Sequence, residues 1–170
     1  FCNLNELNAS ACVTKHGKFS EEKFYDLCRK SAILGTLQAG YTDFPYLGKQ
    51  TEEIVAGEAL IGISITGWMT RPELFDETIL RKGAEIVKKT NKEVARLIGI
   101  NPAARTTTVK PSGNASVILK TASGIHPEHS KRYFRIMQLN KESETAKYLM
   151  EHYPEMLEES LWSNTQSDWV

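Results

Sequence analysis

The stretch LIGISITG, residues 60–67, decides the fold class of this chain. Isoleucine occupies every second position, and Gly62, Ser64 and Thr66 fill the positions between. This alternation is typical of a β-strand, because successive side chains point to opposite faces of a sheet. One face of the strand is therefore apolar. The other face is small and polar, which suits either the lumen of a barrel or a ligand-binding surface.

Helical patterns flank this strand on both sides. Ser20 is a favourable N-cap, Glu21 and Glu22 suit the positive end of a helix dipole, and apolar residues then recur at three- and four-residue steps. The same reasoning predicts helices over residues 21–37, 51–58, 77–98 and 141–153, and strands over residues 1–7, 60–67, 106–110 and 133–139. Alternating strands and helices predict an α/β architecture with mostly parallel strands.

Composition excludes several classes of function. At 170 residues the chain is one domain or a piece of one. Lysine plus arginine and aspartate plus glutamate both number 21, so the basic footprint of a nucleic-acid-binding protein is missing. The longest apolar stretches fall far short of the ~20 residues that cross a bilayer. We therefore expect neither a nucleic-acid partner nor a membrane.

Few residues can ligate a metal or exchange disulfides. Cys2, Cys12 and Cys28 are odd in number and form no CxxC pair, which argues against a disulfide scaffold and a zinc site and favours a reducing cytoplasm. His126 and His129 lack a third ligand of matching spacing, so no metal site is predicted. A free cysteine is by default a small buried hydrophobe, although Cys2, beside a polar strand end, can also be redox-active.

The stretch TVKPSGNAS, residues 108–116, predicts a strand, a turn and then either a short helix or another strand. Gly113 allows the backbone to approach a ligand, and Ser112, Asn114 and Ser116 offer side-chain hydrogen bonds. A helix starting near Asn114 would favour an anion at its N-terminus, with Lys110 as a nearby cation. The spacing is not that of the GxxxxGK[ST] loop, so an NTPase is excluded. The alternative is an ordinary loop in which Asn114 caps a helix.

Four stretches together, in order along nearly the whole chain, resemble the catalytic subunit of ribonucleotide reductase. CNLNELN (2–8) is similar to the strand that carries the second redox cysteine, and IGISITGWM (61–69) to a barrel strand with its following turn. TTTVKPSGNAS (106–116) resembles the substrate-phosphate loop, and ASGIHP (122–127) with YFRIMQL (133–139) the segments after it. The residues CNLNE and TVKPSG are most similar to the adenosylcobalamin-dependent (class II) branch, with the diiron-partnered class I branch as an alternative.

The resemblance implies part of a ten-stranded α/β barrel. Residues 1–170 would form a single segment of the catalytic barrel domain, a half-barrel fragment that lacks the N-terminal half and the C-terminal tail. It also implies an oxidoreductase that converts ribonucleotides to deoxyribonucleotides: a thiyl radical abstracts the ribose 3′ hydrogen, and two other cysteines end as a disulfide. The family's N-x-C-x-E motif and its partner redox cysteine do not occur in this sequence, so we expect the isolated chain to be inactive.

By motif match, Cys2 is one member of the redox pair. Cys12 and Cys28 do not lie at the family's motif positions, and we interpret them as structural. The match also assigns the substrate phosphates to a loop of five residues: Ser112, Gly113, Asn114, Ala115 and Ser116. Asn114 departs from the family's usual PSGT. The implied cofactor is adenosylcobalamin. The implied partners are a ribonucleotide substrate, the missing N-terminal half and an external dithiol or thioredoxin-type reductant, in the cytoplasm.

Two rival hypotheses remain open at this stage. The chain can be a non-catalytic nucleotide- or phosphate-binding module that kept the loop without the radical machinery. It can also be an open half-barrel that persists only by association, because exposed strand edges are prone to pair with other chains.

Overall fold

A computed structural model describes residues 1–130, 132–134, 136–160 and 168–169. The chain divides into two compact units, Phe1–Glu128 and His129–Val170. No helix within the described ranges is long and apolar enough to cross a membrane.

The first unit is built on a parallel pair of strands, β1 (Asn3–Asn8) and β2 (Ile61–Thr66). Parallel strands need a crossover connection, which here contains the helices α1 (Glu21–Ala39) and α2 (Lys49–Glu58). The alternating pattern of residues 60–67 therefore predicted its strand correctly, and the expectation of an α/β architecture with parallel pairing is confirmed.

Residues 105–108 run along the other edge of β2. Thr107 forms an isolated parallel bridge with Ile63, and the N–H groups of Ile61 and Ile63 donate to the carbonyls of Arg105 and Thr106 at 3.2 and 3.0 Å. The strand predicted over residues 106–110 is thus reduced to an extended segment with one bridge. The half-barrel implied by the resemblance is not confirmed, because the described residues contain two small two-stranded sheets.

The start of α1 and the end of α3 lie at the predicted signals, whereas α1 runs two residues past its predicted end and α2 starts two residues earlier than predicted. The Ser20 hydroxyl accepts from the N–H of Lys23 at the start of α1. The longest helix, α3 (Glu77–Ile98), is capped by Asp76 and ends at Gly99, which has a φ of 76° that suits glycine. Residues 115–119 form a short helix, α4 (Ala115–Leu119), which settles the helix-or-strand alternative.

The core of the first unit lies between β2 and the helices α1 and α3. A Cβ on Gly83 of α3 would lie 2.9 Å from the Phe24 ring of α1, so glycine permits this close approach. On the other side of α1, Gly35 lies against Asn5, Ile61 and Ile63 of the sheet. Short 3-10 turns at Ala9–Cys12, Trp68–Thr70 and Pro72–Leu74 join these elements.

The second unit contains α5 (Glu144–His152), a 3-10 turn at Pro154–Met156, and a short antiparallel pair, β3 (Leu139–Asn140) with β4 (Asp168–Trp169). The predicted helix before Pro154 is confirmed. The strand predicted over residues 133–139 is wrong for its described residues apart from Leu139, and Arg135 lies outside them. Phe134 and Ile136 are exposed and pair with no strand among the described residues.

Candidate functional site

Cys2 lies immediately before β1 and is exposed. Its sulfur would be 3.2 Å from a Cβ placed on Gly62, with Leu4 and Thr108 at 2.6 and 3.0 Å from the same point. Glycine in the middle of β2 therefore lets three side chains from neighbouring segments meet over the strand. The structure places Cys2 beside the small residues of LIGISITG, two features that no local sequence pattern connects.

Strand alternation assigns these residues to one face of the sheet. We name this the small-residue face: Cys2, Leu4, Glu6, Gly62, Ser64 and Thr108. The opposite face, the helix face, consists of Asn5, Leu7, Ile61 and Ile63, and α1 packs against it at Gly35. The predicted apolar and polar faces of β2 are therefore both present, and Cys2 belongs to the polar one.

An ion pair lies on the small-residue face. The ammonium of Lys110 bonds the Glu6 carboxylate, whose side chain is 10% exposed, and also lies 3.3 Å from the Pro111 carbonyl. Within the described residues, the second carboxylate oxygen of Glu6 and the hydroxyl of Ser64, its partner in strand register, are buried without a hydrogen-bond partner. Lys110 was expected to attract an anion bound at the loop, but its charge is instead paired with the Glu6 carboxylate.

Cys12 and Cys28 lie in the hydrophobic core. Burial raises the pKa of the Cys12 thiol to about 11 and that of Cys28 to about 12, so both are protonated at neutral pH. Cys12 follows the carboxyl end of β1, whereas Cys2 precedes its amino end. A six-residue strand spans roughly 17 Å at ~3.3 Å per residue, far beyond the Cα separation of a disulfide. Cys12 cannot be the redox partner of Cys2.

The predicted phosphate loop is a turn leading into α4. Gly113 has a φ of 54°, and Asn114 takes the N-cap position without a side-chain capping bond. In the part of the chain that the structure describes, the N–H groups of Gly113 and Asn114 donate to no protein acceptor, while that of Ala115 donates to the Ser112 carbonyl at 3.2 Å. Two adjacent donors at a glycine turn are therefore available to an anion.

The two serine hydroxyls of the loop are used inside the protein. Ser112 and Ser116 are buried. The Ser112 hydroxyl donates to the Ser123 hydroxyl at 3.1 Å, and the Ser116 hydroxyl donates to the Gly113 carbonyl at 3.0 Å. These side chains shape the turn, so the groups it offers to solvent are mainly backbone N–H groups and the exposed Asn114 side chain.

Sequence reasoning missed the residues that support this loop: Glu6, Thr66, Ser123 and Gly124. Their roles depend on strand register and on long-range hydrogen bonds, which leave no local periodicity. A usable signal was TASG at 121–124, a run of small residues that is too short for a helix and lacks the large apolar side chains of a core strand. Among described residues, no group of three or more histidine, cysteine, aspartate or glutamate side chains is placed to hold a metal.

Comparison with known proteins bears on the fold. No family model matches the chain, and no curated protein matches it significantly. The crystal structure of a B12-dependent (class II) ribonucleotide reductase aligns with 99% of this chain, with a TM-score of 0.60 and 17% sequence identity.

The aligned region is a minor part of that enzyme, since the chain spans 26% of its length. At this identity the match establishes an α/β fold similar to part of a class II ribonucleotide reductase. The resemblance seen in the sequence motifs is thereby confirmed as a similarity of fold.

Proposed function

We propose that this chain is a segment of the catalytic chain of a ribonucleotide reductase of the adenosylcobalamin-dependent branch, and that its sheet is part of a ten-stranded barrel. The observation that carries the proposal is the small-residue face, on which an exposed cysteine meets Gly62 and Thr108 in a reductase-like fold. Inward-facing and outward-facing residues alternate along barrel strands, and a face of small residues leaves room for a ligand.

In this proposal Cys2 is one thiol of a redox pair. One ribonucleotide and two thiols give one deoxyribonucleotide, one disulfide and one water, so the two sulfurs lose two electrons while the ribose loses its hydroxyl. The exposed position of Cys2 is compatible with thiol exchange, which requires access. Since Cys12 and Cys28 are buried in the core, the second thiol and the radical cysteine are proposed to come from a polypeptide segment outside this sequence.

The loop of residues 112–116 is proposed to hold the substrate phosphates. The free N–H groups of Gly113 and Asn114 would bind phosphate oxygens, and the hydroxyls of Ser112 and Ser116 would keep the turn in shape. Anchoring the phosphates fixes the ribose relative to the reacting thiols, and such positioning contributes to rate.

Adenosylcobalamin is proposed as the cofactor of the complete enzyme, where it supplies the radical. The apolar cavity between α3, β2 and residues 107–109 has a volume of about 190 Å³, too small for a corrinoid, so this cavity does not fit the cofactor. The proposed partners are a ribonucleotide, the remaining part of the reductase and a thioredoxin-type dithiol, in the cytoplasm.

An assay of ribonucleotide reduction with adenosylcobalamin and a dithiol tests the proposal. The 170-residue chain alone should give no turnover. Activity should arise when a polypeptide supplying the N-x-C-x-E cysteine and the partner cysteine is added, and Cys2→Ser should abolish it. Turnover by the isolated chain would contradict the claim that it is incomplete.

The second candidate is a non-catalytic phosphate-binding module. The free N–H pair of Gly113 and Asn114 favours it, because this pair requires no contribution from Cys2. A Cys2→Ser chain should bind phosphate normally under both hypotheses. Only the reductase hypothesis requires this change to abolish turnover in the reconstituted enzyme.

A further inference from the structure

Residues 121–124, with sequence TASG, lie between the end of β2 and the loop of residues 112–116. We name them the bracket segment. Three of its members, Thr121, Ala122 and Gly124, are buried. The segment makes polar contacts in both directions, and these contacts join the end of the sheet to the loop.

Contacts on the sheet side fix the bracket segment to β2. The Ala122 carbonyl accepts from the N–H of Gly67 at 2.9 Å and from the Thr66 hydroxyl at 3.2 Å. The same Thr66 hydroxyl accepts from the N–H of Gly124 at 2.9 Å. The Thr121 and Ser10 hydroxyls share a further hydrogen bond of 2.7 Å. Because Thr66 is fully buried, these bonds are shielded from water.

Contacts on the loop side are made by Ser123 and Gly124. The Ser123 hydroxyl accepts two hydrogen bonds from Ser112, one from its N–H and one from its hydroxyl, both at 3.1 Å. A Cβ on Gly124 would lie 2.3 Å from the Lys110 carbonyl oxygen, and its φ of 58° also favours glycine. The bracket segment therefore touches the loop at its entrance, directly before Gly113.

We propose that Ser123 is a positioning residue for anion binding: through Ser112 it sets the direction of the free N–H groups of Gly113 and Asn114. The inference rests on the proposed phosphate-binding role of the loop. Ser123 itself touches no phosphate. Removing its hydroxyl leaves the N–H of Ser112 without its acceptor, so the turn loses the contact that ties it to the bracket segment.

The test is a titration of the full chain with inorganic pyrophosphate. Binding is measured by calorimetry and by shifts of the amide resonances of Gly113 and Asn114. Ser123→Ala should raise the dissociation constant about five- to tenfold, as expected for losing roughly one net hydrogen bond. Ser123→Thr keeps the hydroxyl and should restore most of the affinity. Ser20→Ala removes the N-cap of α1 instead, so it should lower stability with unchanged pyrophosphate affinity.

The outcomes distinguish the positioning role of Ser123 from the phosphate-binding role of the loop. If wild-type chain binds pyrophosphate and Ser123→Ala binds equally well, the positioning role is wrong and the phosphate-binding loop stands. If wild-type chain binds no pyrophosphate and the two amide resonances do not move, the phosphate-binding loop is wrong and the role of Ser123 with it. Should Ser123→Ala fail to fold, Ser112→Ala deletes one of the two bonds and should weaken binding by a smaller factor.

Discussion

The two faces of the β1–β2 sheet carry side chains of different chemistry. On the helix face, Ile61 and Ile63 are almost completely buried under α1, where Gly35 permits close packing. On the small-residue face, Ser64 is equally buried, yet its hydroxyl has no partner among the described residues. Burial alone therefore does not distinguish the faces. Their chemistry does.

This difference separates residues that hold the fold from residues that are available for function. Apolar side chains on the helix face remove area from water, which is the dominant favourable contribution to folding. The small-residue face instead carries an exposed thiol, Cys2, and a partly desolvated ion pair, Glu6 with Lys110, at a cost in solvation. Substitutions on the two faces should consequently differ in their effect on the free energy of unfolding.

Matched truncations of Ile61 and Ser64 should give the largest contrast. Ile61→Ala should lower the free energy of unfolding by about 2–5 kcal/mol, since it leaves a cavity at a side chain that is 1% exposed. Ser64→Ala should be neutral or slightly stabilising, because it removes a buried hydroxyl that has no partner in the described part of the chain. Urea unfolding of both variants measures the difference. Equal losses would show that the two faces do not differ in this way.

The next largest effect should come from alkaline pH, which should lower the free energy of unfolding through the two cysteines of the core. The pKa values of Cys12 and Cys28 are raised from 9.0 to about 11 and about 12, so the folded state holds these protons more tightly than the unfolded state does. Their contribution is fully present below pH 9 and is lost as pH rises through the folded values. Between pH 9 and the folded pKa values, each pH unit should cost on the order of 1 kcal/mol per buried thiol.

Urea midpoints measured between pH 8 and 11 check this. A Cys12→Ala, Cys28→Ala double variant is the control, and its midpoint should fall less steeply with pH. A decline as steep as that of the wild-type chain would assign the alkaline loss to other groups.

The sequence predicted those parts of the fold whose causes are local. Ser20 marks the start of α1 through its capping side chain and Gly99 the end of α3 through its left-handed backbone, and these two termini lie where expected. Ile61, Ile63 and Ile65 identify a strand by alternation, which needs no knowledge of its partner.

Failures occurred where pairing decides the outcome. Residues 133–139 have strand-forming composition, but a strand requires a neighbour, and within the described residues only Leu139 finds one. For the candidate site, motif resemblance located Cys2 and residues 112–116. The position of Ser123 and the pairing of Glu6 with Lys110 followed only from the tertiary structure, because each joins residues that are distant in sequence.

Gly62→Ala should have a smaller effect and act on the small-residue face. The added Cβ would lie 2.6 Å from a methyl of Leu4 and 3.2 Å from the Cys2 sulfur. Because these atoms are ends of side chains that can move, the loss should be about 1 kcal/mol, at the low end for overpacking. Leu4→Ala in the same chain should recover part of it in thermal unfolding. A double variant no more stable than Gly62→Ala would rule out the clash with Leu4.

Cys2→Ser should have the smallest effect on stability, within about 0.5 kcal/mol, because an exposed thiol contributes little packing. Native wild-type chain treated with iodoacetamide at pH 8 should gain one adduct by mass spectrometry, and urea-unfolded chain should gain three, one for each free cysteine. Native Cys2→Ser should gain none. Fast labelling of Cys28 in the folded chain would contradict its assignment to the core, and with it the argument that Cys2 alone is available for thiol exchange.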